Sequence, residues 1–149
     1  MGTDCEKINE KELIRLAHEA RKRAYTPYSG FQVGAALMTK KGKIYLGCNI
    51  ENASYSPTNC AERTAFFKAV SEGEREFAAI AIVGGPKGSE AKETCSPCGV
   101  CRQVMREFCA PGEFRILLED GNGGILNYSL AELLPLGFGP ENLGREKEE

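Results

Sequence analysis

Cys60-Ala61-Glu62-Arg63 and Ser96-Pro97-Cys98-Gly99-Val100-Cys101 are the two stretches from which the rest of the chain can be placed. Cys98 and Cys101 lie three apart at the start of an expected helix over 98–108, so their side chains share a face. Pro97 suits the opening of that helix. Cys60 opens a second expected helix, 60–71. Helix N-termini carry partial positive charge and favour thiolate, the form of cysteine that binds zinc. A fold that joins these two helix N-termini makes a three-thiol zinc site from Cys60, Cys98 and Cys101. Glu62, two residues past the first thiol, can then work beside the metal without binding it. Two other uses of these cysteines compete. Cys95 is the convenient fourth thiol for a closed, purely structural zinc clip. A thioredoxin-like redox pair at Cys98 and Cys101 leaves Cys60-Ala61-Glu62 unexplained.

Working outward, Asn9 is a candidate cap for a helix over 9–24, with Glu12 three residues on as in a capping box. Leu13, Leu16, Ala17 and Ala20 follow at helical spacing. His18, flanked by charged residues, is expected to be exposed and without a catalytic role. Phe31 to Thr39 and Lys43 to Cys48 read as strands, close enough to form a hairpin across Lys40-Lys41-Gly42. Residues 49–58 are a polar loop leading into the first metal stretch. In the helix over 60–71, Phe66, Phe67 and Val70 offer apolar contacts. Phe77 to Val83 is apolar almost throughout and should be a strand buried on both faces. Residues 84–97 read as a loop. Strands at 114–118 and 124–128 are joined by a link too short for a parallel crossover, so they should pair antiparallel. Ser129 caps a short helix, 130–134. The expected fold class is α/β, one mixed sheet with helices on its faces. The division expected is an N-terminal extension over 1–8, one domain over 9–140, and a charged, mobile tail over 141–149.

Composition narrows the function. The 149 residues suit one domain with a full core, and 42% hydrophobic with 27% charged residues is ordinary for a globular protein. The net charge is −2 and the pI about 5.6, against the basic stripe of a nucleic-acid binder. No apolar run approaches a membrane span, and no secretory signal is visible. Met1-Gly2 is not a myristoylation signal, because Glu6 stands where Ser or Thr is needed. Seven cysteines, an odd number, do not read as a disulfide framework. A reducing, cytoplasmic setting with some thiols on metal fits better. His18 is the only histidine, so a transition-metal site must rest on thiolates. Three thiolates on Zn²⁺ leave a net −1 site, which acidifies water less well than one with neutral ligands. Arg63, next to Glu62, is expected to offset that charge by hydrogen-bonding to the ligand sulfurs. The plainer alternative for Arg63 is a solvent-facing side chain.

The metal stretches match the zinc-deaminase signature in its three-cysteine form. Tyr28-Ser29-Gly30-Phe31-Gln32-Val33-Gly34-Ala35, Cys48-Asn49-Ile50-Glu51-Asn52-Ala53-Ser54-Tyr55, Cys60-Ala61-Glu62-Arg63 and Ser96-Pro97-Cys98-Gly99-Val100-Cys101-Arg102-Gln103 together resemble the small, homotetrameric cytidine deaminases. The resemblance covers about residues 9 to 140. It implies a three-layer α-β-α fold with a five-stranded mixed sheet. It also implies hydrolytic deamination of cytidine and 2′-deoxycytidine to uridine and 2′-deoxyuridine. Zinc would sit on Cys60, Cys98 and Cys101 with water in the fourth position, and Glu62 would shuttle protons as base and then acid. By the same resemblance Phe31 packs on the pyrimidine, and Asn49 and Glu51 bind the ribose, chiefly its 3′-hydroxyl. The backbone of Ala61 meets the base carbonyl and that of Ser96 the amino group. Tyr55 and Phe138 reach the site of a neighbouring subunit in a homotetramer.

Each of these residues also has an ordinary structural use. Phe31 could serve the core, Asn49 and Glu51 the loop, and Glu62 the surface of a helix. A carboxylate at Glu51 would repel a phosphate beside the sugar, which favours free nucleoside over nucleic acid. Rival readings are a deaminase of a cytosine antibiotic such as blasticidin S, a nucleic-acid-editing deaminase, and a non-catalytic zinc module.

Overall fold

The computed structural model of the chain describes residues 7–91 and 93–145. Cys5, most of the 1–8 extension with Met1-Gly2 and Glu6, and residues 146–149 of the charged end lie outside the described residues.

Helix α1, Glu10–Arg21, starts where Asn9 predicts: the Asn9 side-chain oxygen accepts the N–H of Glu12. Only half of the capping box forms, because the Glu12 carboxylate turns to Arg15 instead. The helix stops three residues before the expected end. The chain must turn there so that the N–H of Tyr25 can reach the carbonyl of Asn49. Arg21, the last helical residue, is buried and spends its guanidinium on the carbonyls of Gln32, Pro86 and Ser89. His18 is half-buried rather than exposed, its Nε2 lying against Glu119.

Five strands follow: β1 Phe31–Thr39, β2 Ile44–Cys48, β3 Phe77–Pro86, β4 Arg115–Glu119 and β5 Ile125–Ser129. They form one sheet in the order β2-β1-β3-β4-β5. Pairing is antiparallel throughout except between β3 and β4, which run parallel. The expected hairpin of β1 with β2 and the antiparallel closing pair β4–β5 are both present. β1 has its expected bounds, β2, β4 and β5 are offset by at most a residue, and β3 runs longer. That strand continues to Pro86 because Val33, Gln32 and Phe31 of β1 pair with Gly84, Gly85 and Pro86. Glycines there signal crowding against the sheet rather than a loop.

Alternation along the central strands divides the core. Ala35, Leu37, Ile80, Ile82, Ile116 and Leu118 face one way, into a layer with Ala61, Ala65 and Phe66 of helix α2, Ala61–Ser71. Helix α3, Gly99–Phe108, and the short α4, Leu130–Leu133, complete that layer. Ala36, Met38, Ala79, Ala81 and Val83 face the other way, against Leu13, Ile14 and Ala17 of α1. The result is the expected α-β-α sandwich, with β3 buried on both faces. Phe66 is completely buried among Phe77, Phe108 and Phe114, with ring centroids 5.0–6.2 Å away. Phe67 is half-exposed and takes no part in the core expected of it, since the next residue on a helix faces about 100° away.

Gly47 of β2 positions the first metal stretch. A Cβ there would stand 2.3 Å from the carbonyl oxygen of Ala61, so glycine lets the first turn of α2 rest directly on the sheet. At the other end of the chain, residues expected to begin a free tail are partly fastened. Pro140–Leu143 forms a 3-10 turn, and Arg106 of α3 bonds the Glu141 carboxylate at 2.9 Å.

Candidate metal centre and its surroundings

Cys60 and Cys98 are the N-caps of α2 and α3, and neither side chain is spent on capping. Cys101 lies in the first turn of α3. The two helix N-termini converge, and the three sulfurs lie within 4.8 Å of one another, Cys60 to Cys98 at 3.8 Å. Cys101 is buried, Cys60 half-buried and Cys98 exposed, so the cluster opens to one side. Among the described residues this is the one group of metal-ligating side chains so arranged.

The donor set fits zinc. Cys60 is pushed down to about 5 because Cys101 donates to it, an effect that outweighs its burial, with Arg63 adding to it. Cys101 is correspondingly pushed up, by the same shared proton and by burial. A divalent ion held by the three sulfurs would replace their remaining protons. Arg63 Nη2 donates to Cys60 Sγ at 3.3 Å, so the arginine is not solvent-facing. Cys95 lies outside the cluster, packed against the same core layer as Cys60. Burial, and then the nearby Glu62 and Cys60, push its thiol up to about 11.

Glu62, in the first turn of α2, is only 4% exposed. Burial raises its carboxyl to about 7, and the charge on Cys60 contributes. A buried carboxyl with a pKa near neutrality can both take and return a proton. A cation on the thiols pulls that value down again and favours the base form. Ala61, fully buried at the first helical position, carries one of the N–H groups that an α-helix leaves without an internal partner.

The other residues singled out in the sequence lie on β1 and in loops. Phe31 opens β1 and is 39% exposed. The Asn49 amide braces it: Oδ1 accepts the Val33 N–H at 2.8 Å and Nδ2 donates to the Phe31 carbonyl at 2.9 Å. One lone pair and one N–H remain on that amide for a further partner. Glu51 Oε1 accepts the N–H groups of Tyr28 and Ser29, leaving Oε2 free of them. Ser29, by its hydroxyl and its N–H, and then Tyr28 hold this carboxyl below its usual range. Ser96 is exposed, two residues before Cys98. Tyr55 is 74% exposed, has φ 58°, and meets Tyr28 edge-on at 6.3 Å. Phe138 is 56% exposed. A cleft of about 330 Å³ is lined by Tyr28, Ser29, Glu51, Asn52, Tyr55 and Thr58, and by none of the thiols or Glu62. The structure thus joins the thiols, Glu62, Arg63 and Ala61 tightly. It leaves Glu51 and Tyr55 on a separate open cleft.

Arg102 and Gln103, next to Cys101 on α3, were not singled out for a role in the sequence. Arg102 donates to the carbonyls of Pro97 at 2.8 Å and Leu133 at 2.6 Å. Gln103 donates to the carbonyl of Phe138 at 2.9 Å. The helix that carries two thiols therefore also holds the segment that carries Phe138. Polar residues directly after a ligand pair were the available signal, but apart from Pro97 their acceptors lie more than thirty residues away.

Comparison with known proteins agrees with this geometry. A family profile described as the cytidine and deoxycytidylate deaminase zinc-binding region matches residues 7–114. A protein of Sporosarcina psychrophila named cytidine deaminase is 50% identical over 142 residues, covering 95% of this chain and 100% of its own. The crystal structure of cytidine deaminase from Burkholderia pseudomallei superposes with a TM-score of 0.79 at 48% identity, covering 88% of this chain and 100% of that one. A blasticidin-S deaminase of Bacillus cereus is more distant, 35% identical over 130 residues, covering 85% of this chain and 90% of its own.

Proposed function

This chain belongs to the cytidine and deoxycytidylate deaminase family, and on that premise we propose that it converts cytidine and 2′-deoxycytidine to uridine and 2′-deoxyuridine with release of ammonia. The observation that carries the reading is a buried Glu62 beside three clustered thiols that leave one side open. Cys60, Cys98 and Cys101 would hold zinc, which supplies Lewis acidity and brings the pKa of water toward neutrality. Glu62 takes a proton from the attacking water and delivers it to N3 of the ring. C4 becomes electrophilic and accepts the water oxygen. Glu62 then passes the second proton to the departing amine, so one carboxyl serves as base and then as acid. Arg63 balances the charge of the sulfurs.

Phe31 lies against the pyrimidine, the N–H of Ala61 binds the base carbonyl, and the backbone of Ser96 meets the amino group. The unspent capacity of Asn49 and the Glu51 oxygen that takes neither backbone N–H suit the 3′-hydroxyl of a sugar. That same carboxylate opposes a phosphate on the sugar, and the net charge of −2 supplies no basic track, so nucleoside rather than nucleic acid is the substrate. No helix among the described residues is long and apolar enough to cross a membrane. A thiol-only metal site belongs in a reducing compartment, in keeping with the cytoplasm.

The enzyme acts as a homotetramer in which Tyr55 and Phe138 complete the site of a neighbouring subunit. Two aromatic rings more than half exposed support that reading. The catalytic unit spans 9–140, with 1–8 an extension.

Ultraviolet absorbance during incubation with cytidine tests the proposal. Wild-type protein with one zinc per chain should consume cytidine, and Glu62→Ala should lose about 10²–10⁴-fold in kcat while keeping its zinc. A fully zinc-loaded wild type inactive on cytidine and deoxycytidine but active on blasticidin S would transfer the chain to antibiotic chemistry. Inactivity on all three would leave a zinc-binding module.

A further inference from the structure

The stretch Cys95-Ser96-Pro97-Cys98-Gly99-Val100-Cys101 contains the two-residue ligand spacing twice, as Cys95 with Cys98 and as Cys98 with Cys101. Local spacing therefore allows a four-thiol site, in which no position would be left for chemistry. Cys95 nevertheless stays out of the cluster. Its sulfur rests over Gly84 of β3: a Cβ at Gly84 would stand 2.7 Å from Cys95 Sγ and 3.2 Å from Cys95 Cβ. The ring edge of Phe31 closes the same spot, 3.0 Å from that Cβ position. Gly84 does not need to be glycine for its backbone, since it is an ordinary strand residue paired with Val33, and its φ is not positive. It needs to be glycine for space.

From this we infer that Gly84 is a positioning residue, providing the seat that holds Cys95 off the metal and keeps the three-thiol site open. The inference rests on the zinc reading above. Cys95 sits in the irregular segment between β3 and α3, packs on the same core layer as Cys60 and is near enough to feel its charge, so a sulfur expelled from its seat has the thiol cluster in reach. There Cys95 would release its proton to solvent and take the fourth position as thiolate, displacing water. The function of Gly84 is thus to choose between two ligand sets of equal local spacing.

Cobalt(II) substitution reads the choice directly, because sulfur-to-metal charge-transfer absorption grows with the number of bound thiolates. Wild-type protein should show three thiolates. Gly84→Ala should show four, with the absorption rising by about a third, and its zinc form should lose about 10–100-fold in turnover while retaining the metal. Gly84→Ala with Cys95→Ala should return to three thiolates and recover turnover. Cys95→Ala alone, which does not disturb the strand, should keep the wild-type absorption and turnover. Three thiolates with full turnover in Gly84→Ala would overturn the inference and leave the zinc reading intact. So would a double variant as impaired as the single one, which would point to Phe31 instead. Loss of a quarter of the absorption in Cys95→Ala would mean that Cys95 is already a ligand, and would remove the open site together with the seat.

Discussion

Arg63 makes a direct bond to a ligand sulfur from the position next to the proposed proton carrier. Its charge opposes the net negative charge that three thiolates leave on a zinc site. Arg63→Gln keeps a hydrogen-bond donor of shorter reach but removes the cation. We expect turnover on cytidine to fall by about 10–100-fold, or zinc to be lost to a chelator correspondingly faster, with little change in thermal midpoint. Steady-state kinetics with zinc analysis checks this, and unchanged values for both would remove Arg63 from the mechanism. At this scale the sequence was most informative where chemistry needs specific side chains at short range. Cys60, Glu62, Arg63, Cys98 and Cys101 all lie in two short stretches whose spacing already states their proximity. Gly84 and Arg102 were silent because their partners are distant: the sulfur of Cys95 for one, the carbonyl of Leu133 for the other.

Among the elements, α4 shows how a cap anchors a short helix. Ser129 Oγ accepts the N–H of Glu132, and the Glu132 carboxylate accepts the N–H of Ser129. Ser129→Ala should cost about 1 kcal/mol in chemical denaturation. The pH dependence follows from Glu132, whose carboxyl the backbone and hydroxyl of Ser129 hold below its ordinary 4.5. A group lowered on folding stabilises fully above its unfolded value, and the contribution disappears as pH falls through the folded one. The stability difference between wild type and Glu132→Gln should therefore be constant above about pH 5 and shrink progressively below pH 4.5. Denaturation at several pH values checks it, and a difference that grows on acidification would refute it. Every regular element but the final 3-10 turn was legible from period and punctuation, since β3 reads as an apolar run and the closing link is too short for a crossover. Element ends were less legible because tertiary pairing sets them. β3 is lengthened by its register with β1, and α1 is shortened by the bond from Tyr25 to Asn49.

For the whole molecule, the sequence indicated two layers of helices on a mixed sheet, and the alternation of β1 and β3 explains why both faces are covered. Assembly is the remaining question at this scale, and it bears on activity because Glu51 and Tyr55 line an open cleft apart from the thiols. Sedimentation should give about four times the 16.2 kDa of one chain. Tyr55→Ala and Phe138→Ala should raise KM for cytidine without changing the zinc content of each chain. A fully active monomer in the same experiment would place the whole site within one chain.

The grip of α3 on residues 133–141 has a consequence for proteolysis. Arg102, Gln103 and Arg106 reach Leu133, Phe138 and Glu141 from the helix whose first turn carries Cys98 and Cys101. A protease nick at the exposed Leu136 would free the Phe138 carbonyl and the Glu141 carboxylate that hold Gln103 and Arg106. Damage at the carboxy-terminal end would then be felt first as a looser metal, long before the sheet itself gave way.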